Sequence, residues 1–271
     1  MKHTTKYITA KDGCKLFFSL WQGENEPHSV INLIHGIGEH CLRYEHVAAF
    51  FTAHGFAFHA FDLRGHGQSE GKRGHIENFE QLRSDVDLLF ESSTKLFPNL
   101  PQILYGHSLG GNIALNYSIF RQPKIKKLVV TSPWLRLAFE PAKLKIAAAK
   151  IFQKILPKLS QSTNLDTKML SQSAEVVLKY EQDPLVHGVI TTRLFFEAMQ
   201  SAEFLINNVH KISVPIIFAH GDNDKITSHK ATQEIAEKTA SKYKIWKNQF
   251  HELHNETIKN ELFEFILNEI K

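Results

Sequence analysis

The sequence predicts an α/β protein with a mostly parallel central sheet flanked by helices and a helical cap inserted into it. Two observations carry this prediction. Apolar runs of strand length alternate with longer amphipathic stretches, the pattern of a parallel sheet covered by helices. That alternation breaks once, from Trp134 to about Ile212, where helical periodicity is interrupted by Pro157, Pro184 and polar turns and no convincing strand is found. The expected organisation is therefore a core of residues 1–133 and 213–271, with residues 134–212 as a cap folded over one edge of the sheet.

In chain order, Asp12-Gly13 between Tyr7-Ile8 and Leu16-Phe17-Phe18 predicts an opening hairpin, because Asp-Gly accepts the positive φ of a tight turn. Ser29 to Ile34 reads as a buried strand, Arg43 to His54 as a helix ended by Gly55, and Phe56 to Leu63 as the next strand. Phe79 to Leu96 is helical and stops before Pro98, since proline disfavours helix in the residue before it. Gln102 to Tyr105 is a short strand, Leu109 to Phe120 a helix, and Lys126 to Thr131 a strand closed by Ser132-Pro133. Beyond the insertion come a strand at Val214 to Ala219, a helix near Ser228 to Thr239, a strand at Tyr243 to Trp246 and a helix from Glu256 onward.

Composition narrows the function classes. With 271 residues, 42% hydrophobic and 22% charged, the chain can bury a sizeable core without disulfide or metal staples. That excludes a disordered chain, a disulfide scaffold and a collagen-like repeat. The two cysteines, Cys14 and Cys41, fit a reducing compartment or simple indifference to redox state. The polar start, Met1 to Lys6, is what a chain without a signal peptide would show, and no apolar run approaches the ~20 residues of a membrane span. The net charge of +4 is unevenly spread: between Arg121 and Lys158, ten cations face one acid, Glu140. Such a block serves nucleic acid, an anionic membrane or a solvated face. No aromatic-interleaved basic stripe accompanies it, which disfavours nucleic acid.

Three motifs follow predicted strands. Gly106-His107-Ser108-Leu109-Gly110 lies between the apolar run Ile103-Leu104-Tyr105 and a helical stretch, the strand–turn–helix setting of a nucleophile elbow. Glycines flank the serine because the turn leaves no room for side chains there. A serine hydroxyl is a weak nucleophile, so a base and an orienting acid are needed. Candidates lie just past later strands, where open α/β sheets place their sites: Asp222 or Asp224 after the first, His251 or His254 after the second. Spacing leaves both choices open. The second motif, His35-Gly36-Ile37-Gly38-Glu39-His40, stands where backbone N–H groups can be turned toward an oxyanion. The third, Phe61 to Ser69, reads as a structured loop holding its neighbours. No metal-ligand spacing, Walker-type loop or completed dinucleotide fingerprint occurs, so neither metal nor cofactor is expected.

Together these residues resemble the monoacylglycerol lipases of the α/β-hydrolase superfamily, a branch also called serine aminopeptidase-like or lysophospholipase-like hydrolases. The resemblance runs over almost the whole length. It covers H-G-x-G-E-H at His35 to His40, Arg43-Tyr44, Gly65 to Gly71, G-H-S-x-G-G at Gly106 to Gly111, Lys154 to Ser160, Asp183-Pro184-Leu185, Gly221 to Asp224 and the final H-x-x-H. It implies a catalytic triad of Ser108, Asp224 and His251, the acid closing G-x-x-D and the base opening H-x-x-H. It implies oxyanion donors at the backbone N–H groups of Ile37 and Leu109, and a glycerol head group held by Glu39, Arg43 and His254. Two positions depart from the family: Leu109 stands where vertebrate enzymes usually have Met, and Cys41 where Ser is common.

The expected reaction is hydrolysis of a monoacylglycerol to fatty acid and glycerol through an acyl-enzyme at Ser108. A lysophospholipase is the nearest alternative, and a non-catalytic lipid-binding protein of the same fold is the alternative of another class. From Ala142 to Leu156, Lys143, Lys150 and Lys154 fall on one side of a helical wheel, with Leu144, Ala148, Ile151, Phe152 and Ile155 on the other. A basic amphipathic helix of this kind suits a membrane interface. The expected location is thus cytoplasmic, with peripheral membrane contact through that helix.

Overall fold

The computed structural model describes residues 1–139 and 155–271. Its centre is an eight-stranded sheet in the order β1-β2-β4-β3-β5-β6-β9-β10. Lys2–Thr9 (β1) and Lys15–Gln22 (β2) form the opening antiparallel hairpin, with Gly13 at φ +87° in its turn. β2 pairs antiparallel with Phe56–Phe61 (β4). Ser29–Ile34 (β3), Gln102–His107 (β5), Lys127–Thr131 (β6), Ile216–Gly221 (β9) and Lys242–Trp246 (β10) complete the sheet in parallel. β3, β4 and β5 are buried at every position, as strands covered on both faces must be.

Helices cover the two faces. On one side Glu45–Ala53 (α1) and Lys259–Ile270 (α7) lay Val47, Phe51, Phe263 and Ile266 over Ile31, Phe58 and Ile103. On the other, Phe79–Leu96 (α2), Leu109–Arg121 (α3) and His229–Lys238 (α6) bring Leu82, Val86, Ile113 and Ile235 to Leu104, Val130 and Phe218. Successive strand residues thus serve opposite cores, the period-2 rule of a strand. α2 starts where the sequence predicts because Asn78 caps it, its side chain accepting from Gln81 N–H at 3.1 Å.

The segment between β6 and β9 differs from expectation in one respect. It contains two short strands, Ser160–Ser162 (β7) and Val189–Thr191 (β8), paired antiparallel. Three residues are too few to print an alternation, and β7 is polar and exposed throughout, so no sequence signal announces it. Thr192–Asn208 (α5) falls within the expected cap and also packs on the core. Its Leu194, Ala198 and Leu205 belong to the main apolar core with residues of α3. Together with α5, which contributes Phe195, the stretch that includes β7, Ala174–Gln182 (α4) and β8 covers the cavity described below. The basic amphipathic segment predicted at 142–156 lies outside the described residues, save Ile155 and Leu156, which are exposed. Among the described residues, no helix is long and apolar enough to cross a membrane.

Candidate active site

The sheet reverses its winding between β3 and β5, and loops at the C-terminal ends of those strands open a crevice at such a switch point. Ser108 leaves β5 at φ 53°, ψ −117° before α3 begins. A non-glycine residue held there stores roughly 1–3 kcal/mol of strain, and the surroundings enforce it. Ser108 N–H donates to Thr131 O at 3.0 Å, and its carbonyl accepts from Asn112 and Trp134 N–H. Glycine at 106 and 110 is compulsory: a Cβ on Gly106 would stand 2.4 Å from Gly110 O, and one on Gly110 2.0 Å from Ile34 O. The motif therefore lets α3 approach the end of β3 and aims Ser108 into a cavity.

The loop after β3 forms that cavity's floor. His35 Nδ1 donates to Gly36 O at 2.7 Å while its Nε2 accepts from Leu63 N–H at 2.9 Å. Gly36 N–H is taken by Glu39 Oε1 at 2.6 Å, whereas the Ile37 N–H has no acceptor among the described residues. Leu109, as the first residue of α3, also presents an amide without an intrahelical partner. The Ile37 amide, in the cavity lining with Ser108, and the Leu109 amide, next after it in the chain, are both from residues the sequence singles out. The Phe61 to Ser69 loop braces this arrangement. Asp62 accepts from Cys41 N–H at 2.8 Å and Gln68 N–H at 2.7 Å, and Arg64 pairs with Asp85 and Asp12, each at 2.7 Å.

His251 Nδ1 donates to Asp224 Oδ2 at 2.7 Å, with the His220 ring nitrogen 2.9 Å from the same oxygen. Asp224 Oδ1 accepts from Ile226 and Thr227 N–H at 2.7 and 3.0 Å. Burial disfavours its charge, yet His251 and His220 beside it hold the carboxyl well below the usual range. Burial likewise depresses the His251 imidazole, but Asp224, then Glu252 and Glu39, outweigh it and raise its pKa. Asp222 faces elsewhere, accepting from Asn248 N–H at 2.6 Å. The geometry therefore brings Asp224, not Asp222, against His251, with His251 and Ser108 lining one cavity.

That cavity measures ≈ 660 Å³, and its walls include Trp134, Leu137, Met169, Ile190 and Phe195. Of the three expected head-group residues, Glu39 lines it while Arg43 and His254 sit behind the wall. Arg43 Nη1 donates to Glu39 Oε2 at 2.8 Å and to Glu252 Oε1 at 2.7 Å, and Nη2 to Glu252 Oε2 at 2.8 Å. His254 is fully buried, stacked on Tyr44 at 4.5 Å, and neither ring nitrogen has a partner among the described residues. Burial pushes its pKa down to about 3, so it is neutral at any ordinary pH.

Some contacts of the site are not in the sequence reading. Glu252 lines the cavity and clamps Arg43, and its signal was its place between His251 and His254 in the final motif. His220, at the end of β9, and Thr227, in the turn after it, gather on Asp224, which spacing does not reveal. Asp183 receives His40 Nε2 at 2.8 Å, and His187 N–H donates to Gly38 O at 2.9 Å, tying the covering segment to the loop after β3. Among the described residues, no group of three His, Cys, Asp or Glu side chains is placed to hold a metal ion.

Comparison with known proteins fits this geometry. Residues 25–258 match the family described as serine aminopeptidase, S33. An uncharacterized abhydrolase domain-containing protein of Dictyostelium discoideum is 33% identical over 100% of this chain and 29% of its own length. The chain thus spans under a third of that relative. Human monoglyceride lipase is 31% identical over 92% of this chain and 84% of its own. A crystal structure of the monoacylglycerol lipase of Paleococcus ferrophilus, 30% identical, superposes with a TM-score of 0.86 over 94% of this chain and 98% of that one. The chain belongs to the serine aminopeptidase S33 family, and it is a serine ester hydrolase of the α/β-hydrolase fold, similar to the monoacylglycerol lipases.

Proposed function

We propose that this chain hydrolyses monoacylglycerol through an acyl-enzyme at Ser108. The observation that supports the reading is that Ser108, Ile37 and His251, the last paired to Asp224, border one cavity with apolar walls, Leu109 following the serine in the chain. His251 takes the Ser108 proton as the oxygen attacks the acyl carbonyl, and the two amides stabilise the tetrahedral oxyanion. Collapse expels glycerol with the proton from His251. Water, deprotonated by the same imidazole, then releases the fatty acid and restores the serine.

The cavity's apolar walls suit an acyl chain, and Glu39 at its inner end offers carboxylate oxygens to glycerol hydroxyls. Arg43 and His254 enter this reading as the support of that carboxylate rather than as direct contacts. The covering segment with β7, α4 and β8 is proposed as the cap. Peripheral membrane contact belongs to the same reading, supported by exposed Phe139, Ile155, Leu156 and Leu159 on either side of residues 140–154; cosedimentation with anionic vesicles checks it, and a chain left in the supernatant overturns it.

The test is a comparison of kcat/KM for one monoacylglycerol and the lysophosphatidylcholine of the same acyl chain, with Ser108→Ala as the blank. We expect the monoacylglycerol to be preferred and the alanine variant to lose about 10⁴- to 10⁶-fold in turnover while keeping its fold. Activity that survives Ser108→Ala refutes the nucleophile. Preference for the lysophospholipid keeps the fold and the serine but overturns the glycerol reading.

A further inference from the structure

The end of the cavity nearest Ser108 carries an imbalance of charge. Glu39 and Glu252 both line it, and one guanidinium, Arg43, serves them both from behind. Side-chain exposure is 3% for Glu39, 2% for Glu252 and 9% for Arg43, so none of the three is relieved by bulk water. Asp224, the other buried carboxylate of the site, is paired with His251 and takes no share of Arg43. Among the described residues that line the cavity, the one lysine is the exposed Lys225.

Glu252 is not needed to hold Glu39 in place. Glu39 already pairs with Arg43 and is fixed independently by Gly36 N–H at 2.6 Å and the Tyr44 hydroxyl at 2.8 Å. Arg43 is held besides by stacking on Tyr180, 4.7 Å from the ring centroid. A second buried carboxylate on one guanidinium carries a desolvation cost that its attraction only partly returns. Its oxygens, clamped by Arg43 and by Asn255 Nδ2 at 2.7 Å, cannot turn away from the cavity to reduce it.

We infer that Glu252 is a specificity-determining residue: it leaves the alcohol end of the site with one more carboxylate than Arg43 neutralises, so the enzyme accepts esters of uncharged alcohols and rejects those bearing a phosphate close to the ester. Alcohol hydroxyls donate hydrogen bonds to carboxylate lone pairs. A phosphate brings charge of the same sign into a desolvated site, where repulsion is poorly screened. This inference rests on ester hydrolysis at Ser108 as proposed above.

The experiment measures kcat/KM for a monoacylglycerol and for the same molecule phosphorylated on its glycerol, with the wild-type protein, Glu252→Gln and Glu252→Asp. The wild type should favour the neutral ester by about 100-fold or more, equivalent to about 2.7 kcal/mol. Glu252→Gln, which removes charge but little volume, should narrow that ratio by roughly tenfold, and Glu252→Asp should keep it. Overall rates fall in any variant that merely disturbs packing; the ratio between the two esters does not follow them. Glu252→Ser is read in the same way if the glutamine variant fails to fold. Equal turnover of both esters by the wild type, or a ratio unmoved by removing the charge, overturns the inference alone. Absence of Ser108-dependent turnover of the neutral ester overturns the esterase reading and this inference with it.

Discussion

Gly110 and Gly13 are both glycines in turns, and they stand for two different demands. At Gly110 a Cβ would meet Ile34 O at 2.0 Å and His35 O at 2.5 Å, both backbone atoms of the strand and loop that present the Ile37 amide. Gly110→Ala must therefore push α3 off β3 and displace Ser108. Gly13, at φ +87°, has nothing within 4 Å of its Cβ position, so Gly13→Ala costs only the backbone conformation, roughly 1–2 kcal/mol. Denaturant titration should show Gly110→Ala losing more than 3 kcal/mol, or not folding, with activity lost together. Equal effects at the two positions would show that the close approach at the elbow carries no energy. The sequence makes both glycines visible, one through G-x-S-x-G and one through Asp-Gly. The partner is what it hides: nothing in residues 106–110 says that Ile34 lies against Gly110. The same limit governs the site. Ser108, Asp224 and His251 are legible as residues with chemistry after strands, whereas the clamp of Arg43 by Glu252 joins positions 209 apart and depends on packing.

Helical periodicity says that a face is buried without saying against what, and α5 shows the consequence. Its apolar pattern lies within the expected cap, but the face meets α3 beneath it. Asn116 Nδ2 donates to Ser201 Oγ at 2.8 Å, Ser201 Oγ donates to Asn112 Oδ1 at 2.6 Å, and Asn112 Nδ2 donates to Trp134 O at 2.8 Å. Small residues allow this approach, among them Ala198, which is fully buried. Ala198→Leu overfills the contact and should cost about 1–3 kcal/mol in a single unfolding transition. Gln200→Leu, on the exposed side of the same helix, should change stability by less than about 0.5 kcal/mol. A mobile cap helix would behave differently, with Ala198→Leu altering substrate entry at unchanged stability; that result would make α5 a moving part of the cap. The strands and helices of the sheet's two covering layers were far more legible than this segment. Their runs are long, buried on both faces and bounded by Gly or Pro, whereas β7 and β8 are three residues each and owe their pairing to tertiary position.

Over the whole molecule, the unusual stock of sixteen histidines becomes a dependence of stability on pH. Several are buried as neutral rings whose hydrogen bonds suit one tautomer. Burial holds His59 and His254 down to about 3 and His187 to about 4, and depresses His35, His66 and His107 as well. In the unfolded chain each titrates near 6.5. Below that pH the unfolded state binds protons that the folded state refuses, so the stability is intact above about pH 6.5 and is lost as pH falls toward the folded values. Each such histidine removes about 1.4 kcal/mol per pH unit across its window. Asp85, raised by burial to about 6 despite Arg64, works in the opposite sense between about pH 6 and 4. His251, raised by Asp224, and Glu256, raised by burial, oppose the trend too, but these three groups are outnumbered by the depressed histidines. Unfolding free energy measured in denaturant should therefore fall by several kcal/mol from pH 7 to pH 5, a large part of the 5–15 kcal/mol typical of a folded domain. His59, far from the cavity and 3.4 Å from Asn32 Oδ1 and from Ser92 Oγ, isolates the cause. His59→Gln should remove about 1.4 kcal/mol per pH unit from that slope while leaving the pH dependence of turnover as it was. A flat stability between pH 7 and 5, or an unchanged slope in His59→Gln, would mean that these rings are solvated or paired in ways that burial does not describe.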